Sequence, residues 1–398
     1  MKEKIAVIGL GYVGLPLALA AANANYSVVG VESNSTKVES INRGLSPVDD
    51  ITNGELELVL SRKDFIVTSE SAHIAGSRII VICVPTPIKI NGQPDLSFLT
   101  SAAYAVGKFV HKECLVILES TVEPGTTRNC LVPILERESN LDLQDIKVVY
   151  SPERIDPLND KWTLQNIPKL VAGNSKNATK EALSFYSKFI DSVIECETIE
   201  IAECAKLLEN SFRYINISFI NEFSIFCNKL GVDVKEVISA AATKPYGFMP
   251  FHPSIGVGGH CIPVDPLYLA NKANEIGAPI KSIDLAYEIN KDMPLYFVSK
   301  AEEKIGPLAR KRILVVGISY KPNISDVRET AVKVLIFALR DKGALVDWHD
   351  DLVKNWNGEQ SVPLDSNYDL VILTAVHKSI NLELLKNAPV LDTSGSIF

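Results

Sequence analysis

The chain has 398 residues, 46% hydrophobic and 22% charged, with a formal net charge of -8. Its length predicts two or three domains rather than one core, and its composition is that of an ordinary globular protein. The acidic balance argues against a nucleic-acid partner, which needs a basic footprint, but not against a small phosphorylated ligand held by a few local Lys and Arg.

Ile5 to Ala24 carries no charge and follows Lys2 and Lys4. Those flanks and that length also suit a signal peptide or membrane anchor. Three glycines and Pro16 interrupt the run, so it reads instead as a strand over Ile5–Leu10, a turn, and a helix over Gly14–Asn23. No other charge-free run is long enough to span a bilayer, so no membrane partner is expected. Gly9, Leu10, Gly11, Tyr12, Val13 and Gly14 form G-x-G-x-x-G between that strand and helix. The first glycine permits the tight turn, the second lets backbone approach a pyrophosphate, and the third allows close helix packing. A second strand, Ser27–Glu32, ends in an acid about twenty residues on. A carboxylate there accepts hydrogen bonds from ribose hydroxyls and repels a 2′-phosphate, which favours NAD over NADP. FAD, or a turn that serves only packing, remains open on this evidence.

Further strands are expected at Arg78–Val84, Leu115–Glu119, Lys147–Tyr150 and Lys169–Ala172. Continuous apolar strands between helices predict a parallel sheet covered on both faces. Two strand ends lead into Thr- and Pro-bearing turns, Val84–Pro87 with Thr86 and Glu119–Thr127 with Thr121. Ligands bind at such ends in open α/β sheets, although ordinary loop chemistry also explains these residues.

After Cys196 the pattern changes. Ile199–Leu230 reads as one long helix without interior Gly or Pro, closed by Gly231. Lys206 and Asn210 stand one turn apart on it among apolar neighbours. A lysine there suits an oxyanion; a solvated face with Lys206 paired to Glu203 or Glu209 is the alternative. Helices over Asp233–Ala242, Pro266–Ile276 and Ile280–Ile305 follow. Strand logic returns at Arg312–Gly317, then helix Ala331–Asp341 and strands Ala344–Trp348, Leu370–Thr374 and Val390–Asp392. The fold class is therefore α/β: two Rossmann-like doubly wound domains, 1–196 and 306–398, joined by a central helical domain, 197–305.

Seven cysteines at irregular spacings without a CxxC pair predict reduced thiols in a cytoplasmic protein, neither a disulfide framework nor a metal site. Cys261 stands apart. It follows Gly256, Val257, Gly258, Gly259 and His260, and glycines expose a short side chain and allow backbone contact with a ligand. A thiolate nucleophile needs that exposure; a buried structural cysteine is the alternative.

Together these segments resemble the UDP-glucose/UDP-N-acetylmannosamine dehydrogenase family over essentially the whole chain. The motifs are Gly9–Gly14, Val84–Pro87, Glu119–Thr127, Ser151–Arg154, Lys206–Asn210, Gly258–Cys261, and Tyr320-Lys321 through Arg328-Glu329. The resemblance implies an NAD enzyme that takes the C6 alcohol of a UDP-sugar to the acid. Cys261 attacks the aldehyde to give a thiohemiacetal, which is oxidised to a thioester and hydrolysed. It implies that Lys206 stabilises the oxyanion with Asn210 in the same network. Asp265 orients water or shares proton transfer, Glu153 serves hydrolysis, and Thr121 helps hold the water. Gly9, Gly11, Tyr12, Val13, Gly14, Glu32, Lys37, Thr86, Thr121 and Arg328 are the expected cofactor residues. Glu153, Arg154, Lys206, Asn210, Gly258, Gly259, His260 and Lys321 are the expected substrate residues. The family also dimerises through its long central helix, which implies a homodimer.

Arg154 and the Gly-Gly-His-Cys segment, with Ala240–Phe248 and Ile262–Pro266, look like the branch acting on N-acetylated sugars, nearest UDP-N-acetylglucosamine. Arg154 and His260 are the expected contacts to the acetamido group. The sequence departs from the family's usual Pro-Gly at Pro157-Leu158, and from its Pro-Gly-Pro-Gly at Pro253–Gly256; both changes bear on selectivity more than on chemistry. A one-hydride hydroxyacid-type dehydrogenase and a non-catalytic nucleotide-sugar sensor are the rival readings.

Overall fold

The computed structural model describes residues 2–89, 91–156, 159, 161–259 and 262–394. They form two compact units, 1–208 and 209–398.

The first unit opens with β1 (Lys4–Ile8), α1 (Gly14–Asn23), β2 (Ser27–Val31), α2 (Ser35–Asn42), α3 (Asn53–Ser61) and β3 (Phe65–Thr68). Then come β4 (Ile79–Ile82), α4 (Ser97–Gly107), β5 (Leu115–Leu118), α5 (Val132–Ser139) and β6 (Lys147–Tyr150). β7 (Lys169–Gly173), α6 (Lys176–Tyr186) and β8 (Val193–Glu195) complete the sheet, in the order β3-β2-β1-β4-β5-β6-β7-β8. Alternate residues of each strand face opposite layers, as the two-residue period requires. Ile5 and Val7 join the core beneath α1 and α6, whereas Ala6 and Ile8 join the core beneath α4 and α5.

The expected parallel pairing holds from β3 to β6 and again between β7 and β8, but β7 pairs antiparallel with β6, Tyr150 opposite Ala172. A parallel neighbour needs a crossover, usually a helix, and no described residue between Ser151 and Pro168 is helical. The chain therefore turns back at the carboxyl end of β6.

α7 (Ile199–Leu230) begins in the first unit and continues in the second. After it come α8 (Val234–Ala242), α9 (Asp265–Glu275), α10 (Lys281–Ile305), β9 (Arg312–Val316), α11 (Val332–Asp341) and β10 (Leu345–His349). The hairpin β11 (Asn355–Trp356) and β12 (Glu359–Gln360) precedes β13 (Leu370–Leu373) and β14 (Val390–Asp392). Strands pair in parallel in the order β10-β9-β13-β14. Buried Ser218 and Asn221 of α7 bond Asn290 of α10, and Ser218 also donates to the Ala286 carbonyl. Side-chain polar groups thus satisfy one another inside this helix pair. No described helix is long and apolar enough to cross a membrane.

Candidate active site

The strand order reverses between β1 and β4, and the glycine turn lies there. Gly9 has a φ of +90° and donates its N–H to the Val31 carbonyl at 2.8 Å. A Cβ on Gly9 would stand 2.7 Å from the Cys83 carbonyl oxygen, and one on Gly14 would overlap the Gly9 carbonyl. Gly11 faces open space. Two glycines are thus demanded by packing and the third leaves room for a ligand at the start of α1, where helix amides favour negative charge. Glu32 is buried and accepts the Leu10 N–H at 3.1 Å and the Asn34 N–H at 3.0 Å. Its carboxylate is aimed at the glycine turn by backbone, not by a cation, since Lys37 Nζ lies 4.0 Å away on a half-exposed side chain. Tyr12 reaches Asp49 at 3.5 Å. This cradle fits an NAD pyrophosphate and adenosine ribose.

The two Thr-bearing strand ends meet. Thr86 donates to the Thr121 carbonyl and Ser120 to the Val84 carbonyl, each at 2.7 Å. Buried Glu203 on α7 accepts the N–H groups of Gly125 at 2.6 Å and Thr127 at 3.0 Å, which anchors the loop after Thr121. Lys206, one turn later, is buried and donates to the main-chain carbonyl of Glu153. The solvated-face alternative for Lys206 is excluded. The Glu153 side chain in turn meets Lys169 at 2.9 Å, and Lys169 meets Glu119 at 3.0 Å. Sequence reasoning did not single out Lys169 or Tyr186, and it gave Glu119 and Glu203 no part in this network; the available signal was a lone lysine in the apolar strand Lys169–Gly173. Arg154 donates from its guanidinium to the Pro168 carbonyl at 2.8 Å.

In the second unit, Asn210 donates to Asp265, and both are buried. Asp265 opens α9 with Pro266 behind it, where a carboxylate suits the helix N-terminus. The glycines before the cysteine pack against the loop after β9. A Cβ on Gly258 would lie 2.7 Å from Tyr320 Cβ, and one on Gly259 2.9 Å from the Tyr320 ring. Gly259 also donates to the Arg328 carbonyl at 3.0 Å. The Arg328 guanidinium pairs with Asp326 at 2.6 Å. Half-buried Lys321 follows Tyr320 at the carboxyl end of β9. His260 and Cys261 lie outside the described residues.

A buried network holds that loop. Asp350 accepts the Ile318 N–H and meets His377 Nε2, both at 2.9 Å. His377 Nδ1 accepts the Asn323 N–H at 2.8 Å. Because Nδ1 accepts, Nε2 carries the proton and donates to Asp350. Among the described residues no cluster of three His, Cys, Asp or Glu is placed to hold a metal ion.

Residues 3–190 match the NAD binding domain of the UDP-glucose/GDP-mannose dehydrogenase family, 200–292 its central domain and 314–397 its UDP binding domain. The chain belongs to this family. It is an NAD-dependent UDP-sugar dehydrogenase, an oxidoreductase, and the glycine turn lies within the residues that match the NAD binding domain. It is 35% identical to the UDP-N-acetyl-D-glucosamine 6-dehydrogenase of Pseudomonas aeruginosa over 95% of this chain and 91% of that one. It is 33% identical to the UDP-N-acetyl-D-mannosamine dehydrogenase of Pyrococcus horikoshii over 96% and 91%. The solved UDP-D-ManNAc dehydrogenase structure from Pyrococcus horikoshii superposes with a TM-score of 0.91 at 31% identity, covering 99% of this chain and 96% of that one.

Proposed function

We propose that this dehydrogenase oxidises the C6 alcohol of a UDP-N-acetylhexosamine, UDP-N-acetylglucosamine in first place, to the uronic acid. The reading assigns cofactor binding to residues 1–196, dimerisation to 197–305 and UDP-sugar binding to 306–398. The observation that carries it is that Lys206 and Asn210 are buried, each bonded to another residue of the expected catalytic set, Glu153 and Asp265. The Pseudomonas aeruginosa and Pyrococcus horikoshii relatives are named for N-acetylated sugars, and Arg154 and His260 are the residues assigned to the acetamido group.

NAD, held at the glycine turn of Gly9, Gly11 and Gly14 with Glu32 beside it, would supply the hydride acceptor for both oxidations. The Cys261 thiolate adds to the aldehyde carbon, forming a C–S bond and an oxyanion that the Lys206 ammonium stabilises. Loss of the C6 hydrogen as hydride leaves a thioester. Water, held by Thr121 and relieved of a proton by Glu153 or Asp265, attacks the carbonyl. The C–S bond then breaks, returning the thiolate and releasing the carboxylate. Lys321, Gly258 and Gly259 hold the sugar nucleotide, and the resemblance assigns Arg328 to cofactor binding. The uronic acid product suits surface polysaccharide synthesis.

The testing measurement is NADH formed per sugar consumed in excess NAD. Two per UDP-N-acetylglucosamine is expected. One per sugar marks a single-step enzyme and removes the role of Cys261. Two with UDP-N-acetylmannosamine, UDP-N-acetylgalactosamine or UDP-glucose alone keeps the chemistry and changes the sugar.

The working unit is proposed to be a homodimer through α7. Phe212, Phe219 and Phe226 recur every seven residues, so they share a face of the helix, and Phe219 is 62% exposed. With Phe248, Met249 and Phe251, Phe212 and Phe219 line a groove of about 470 Å³. Contiguous apolar surface of this kind marks an interface. Phe219→Asp is expected to shift the protein from dimer to monomer in sedimentation at micromolar concentration; an unchanged dimer refutes this face.

A further inference from the structure

Two carboxylates share one ammonium in the core of the first unit. Lys169 is 1% exposed, Glu119 1% and Glu153 8%. Lys169 Nζ hydrogen-bonds Glu153 Oε2 at 2.9 Å and forms an ion pair with Glu119 Oε2 at 3.0 Å, and the Tyr186 hydroxyl donates to the other Glu119 oxygen. Glu153 Oε1 accepts the N–H groups of Arg154 and Ile155, and the Glu153 carbonyl accepts Lys206. Burying three charges costs more than packing apolar groups of the same volume, so stability is a poor reason for the cluster. Its geometry instead fixes one residue, Glu153, at its side chain and its main chain together.

We propose that Lys169 is a positioning residue for the reaction: it pins the Glu153 carboxylate, and through it the carbonyl that orients Lys206. This rests on the roles given above to Glu153 and Lys206. The groups facing the cluster are Tyr186 from α6, Cys83 after β4, Ser151 after β6 and Lys206 from α7. Burial raises the Glu119 carboxyl, and Lys169 offsets this only in part. Burial also acts to raise Glu153, but Lys169 and the two N–H bonds hold its carboxyl below the ordinary range. Lys169 and the two N–H groups thus favour the ionised form of Glu153, and burial weighs more heavily on Glu119.

The test is a set of three variants, with folding checked by circular dichroism. In Glu119→Gln the amide oxygen can face Lys169 and the amide nitrogen Tyr186. The competing charge disappears, Lys169 acts on Glu153 alone, and the acid limb of kcat moves to lower pH by about one unit, with KM for NAD and sugar within about twofold. Lys169→Met lowers kcat per folded molecule about a hundredfold, and Lys169→Arg restores most of it. A Glu119→Gln profile that superposes on the parent, or equal kcat in Lys169→Met and Lys169→Arg, overturns the proposal. The NADH count of the unmodified enzyme tests the reaction itself, so the two ideas fail separately.

Discussion

Replacing Cys261 by Ser is expected to cut steady-state NADH formation by about 10³-fold or more, the loss typical of a missing covalent nucleophile. In the proposed route the first oxidation of the alcohol uses no thiol. The second would start from an adduct, and a serine hydroxyl, far less acidic than a thiol, would form that adduct slowly and leave as a poor leaving group. The variant should still bind NAD and UDP-sugar with affinities near those of the parent, because the cofactor cradle and Lys321 are untouched. Isothermal titration separates this outcome from misfolding. Three results are distinguishable. A stall with binding intact supports the thioester route. Indifference identifies a one-hydride dehydrogenase. An unmodified protein that binds both ligands but makes no NADH is a sensor.

Gly14→Ala is the second large effect. The new Cβ would overlap the Gly9 carbonyl oxygen and lie 3.2 Å from Cys83 Cβ. Neither neighbour is the far end of a flexible side chain. Gly9 is itself held at positive φ and bonded to Val31. The start of α1 must therefore move away from the turn, which would separate the helix amides from the proposed pyrophosphate position. Overpacking a tight contact costs about 1–3 kcal/mol of stability. The KM for NAD is expected to rise about a hundredfold or more, while UDP-sugar affinity, carried by the domain built on β9, β10, β13 and β14, stays close to the parent value. Equal KM for NAD in parent and variant contradicts the packing role given to Gly14.

Much of this protein was legible in the chain because the relevant physics is local. The glycine turn, the acid at Glu32, the apolar strands and the uninterrupted helix Ile199–Leu230 follow from backbone freedom and periodicity over a few residues. The resemblance added the order of the motifs, which no single motif carries. The edge strands β3 and β8 were lost because each carries exposed positions and lacks the continuous apolar run that marked equally short inner strands. Contact between distant segments is another matter, because it depends on the path of the chain between them. Sequence left Lys206 open between a solvated face and an oxyanion site; its carbonyl partner lies 53 positions earlier. Asn210 and Asp265 are 55 apart, and only the docking of α9 against α7 joins them. Lys169 looked like the first residue of a buried strand. Its two carboxylates come from the ends of β5 and β6, and they reach it because β7 runs antiparallel to β6, a reversal set by the described stretch without a crossover helix. Local pattern thus determined the strands, the helices and the glycine turn, and the resemblance to the family implied the chemistry. Tertiary structure decided which charges share a buried site, since burial, not sequence distance, sets how strongly they act on one another.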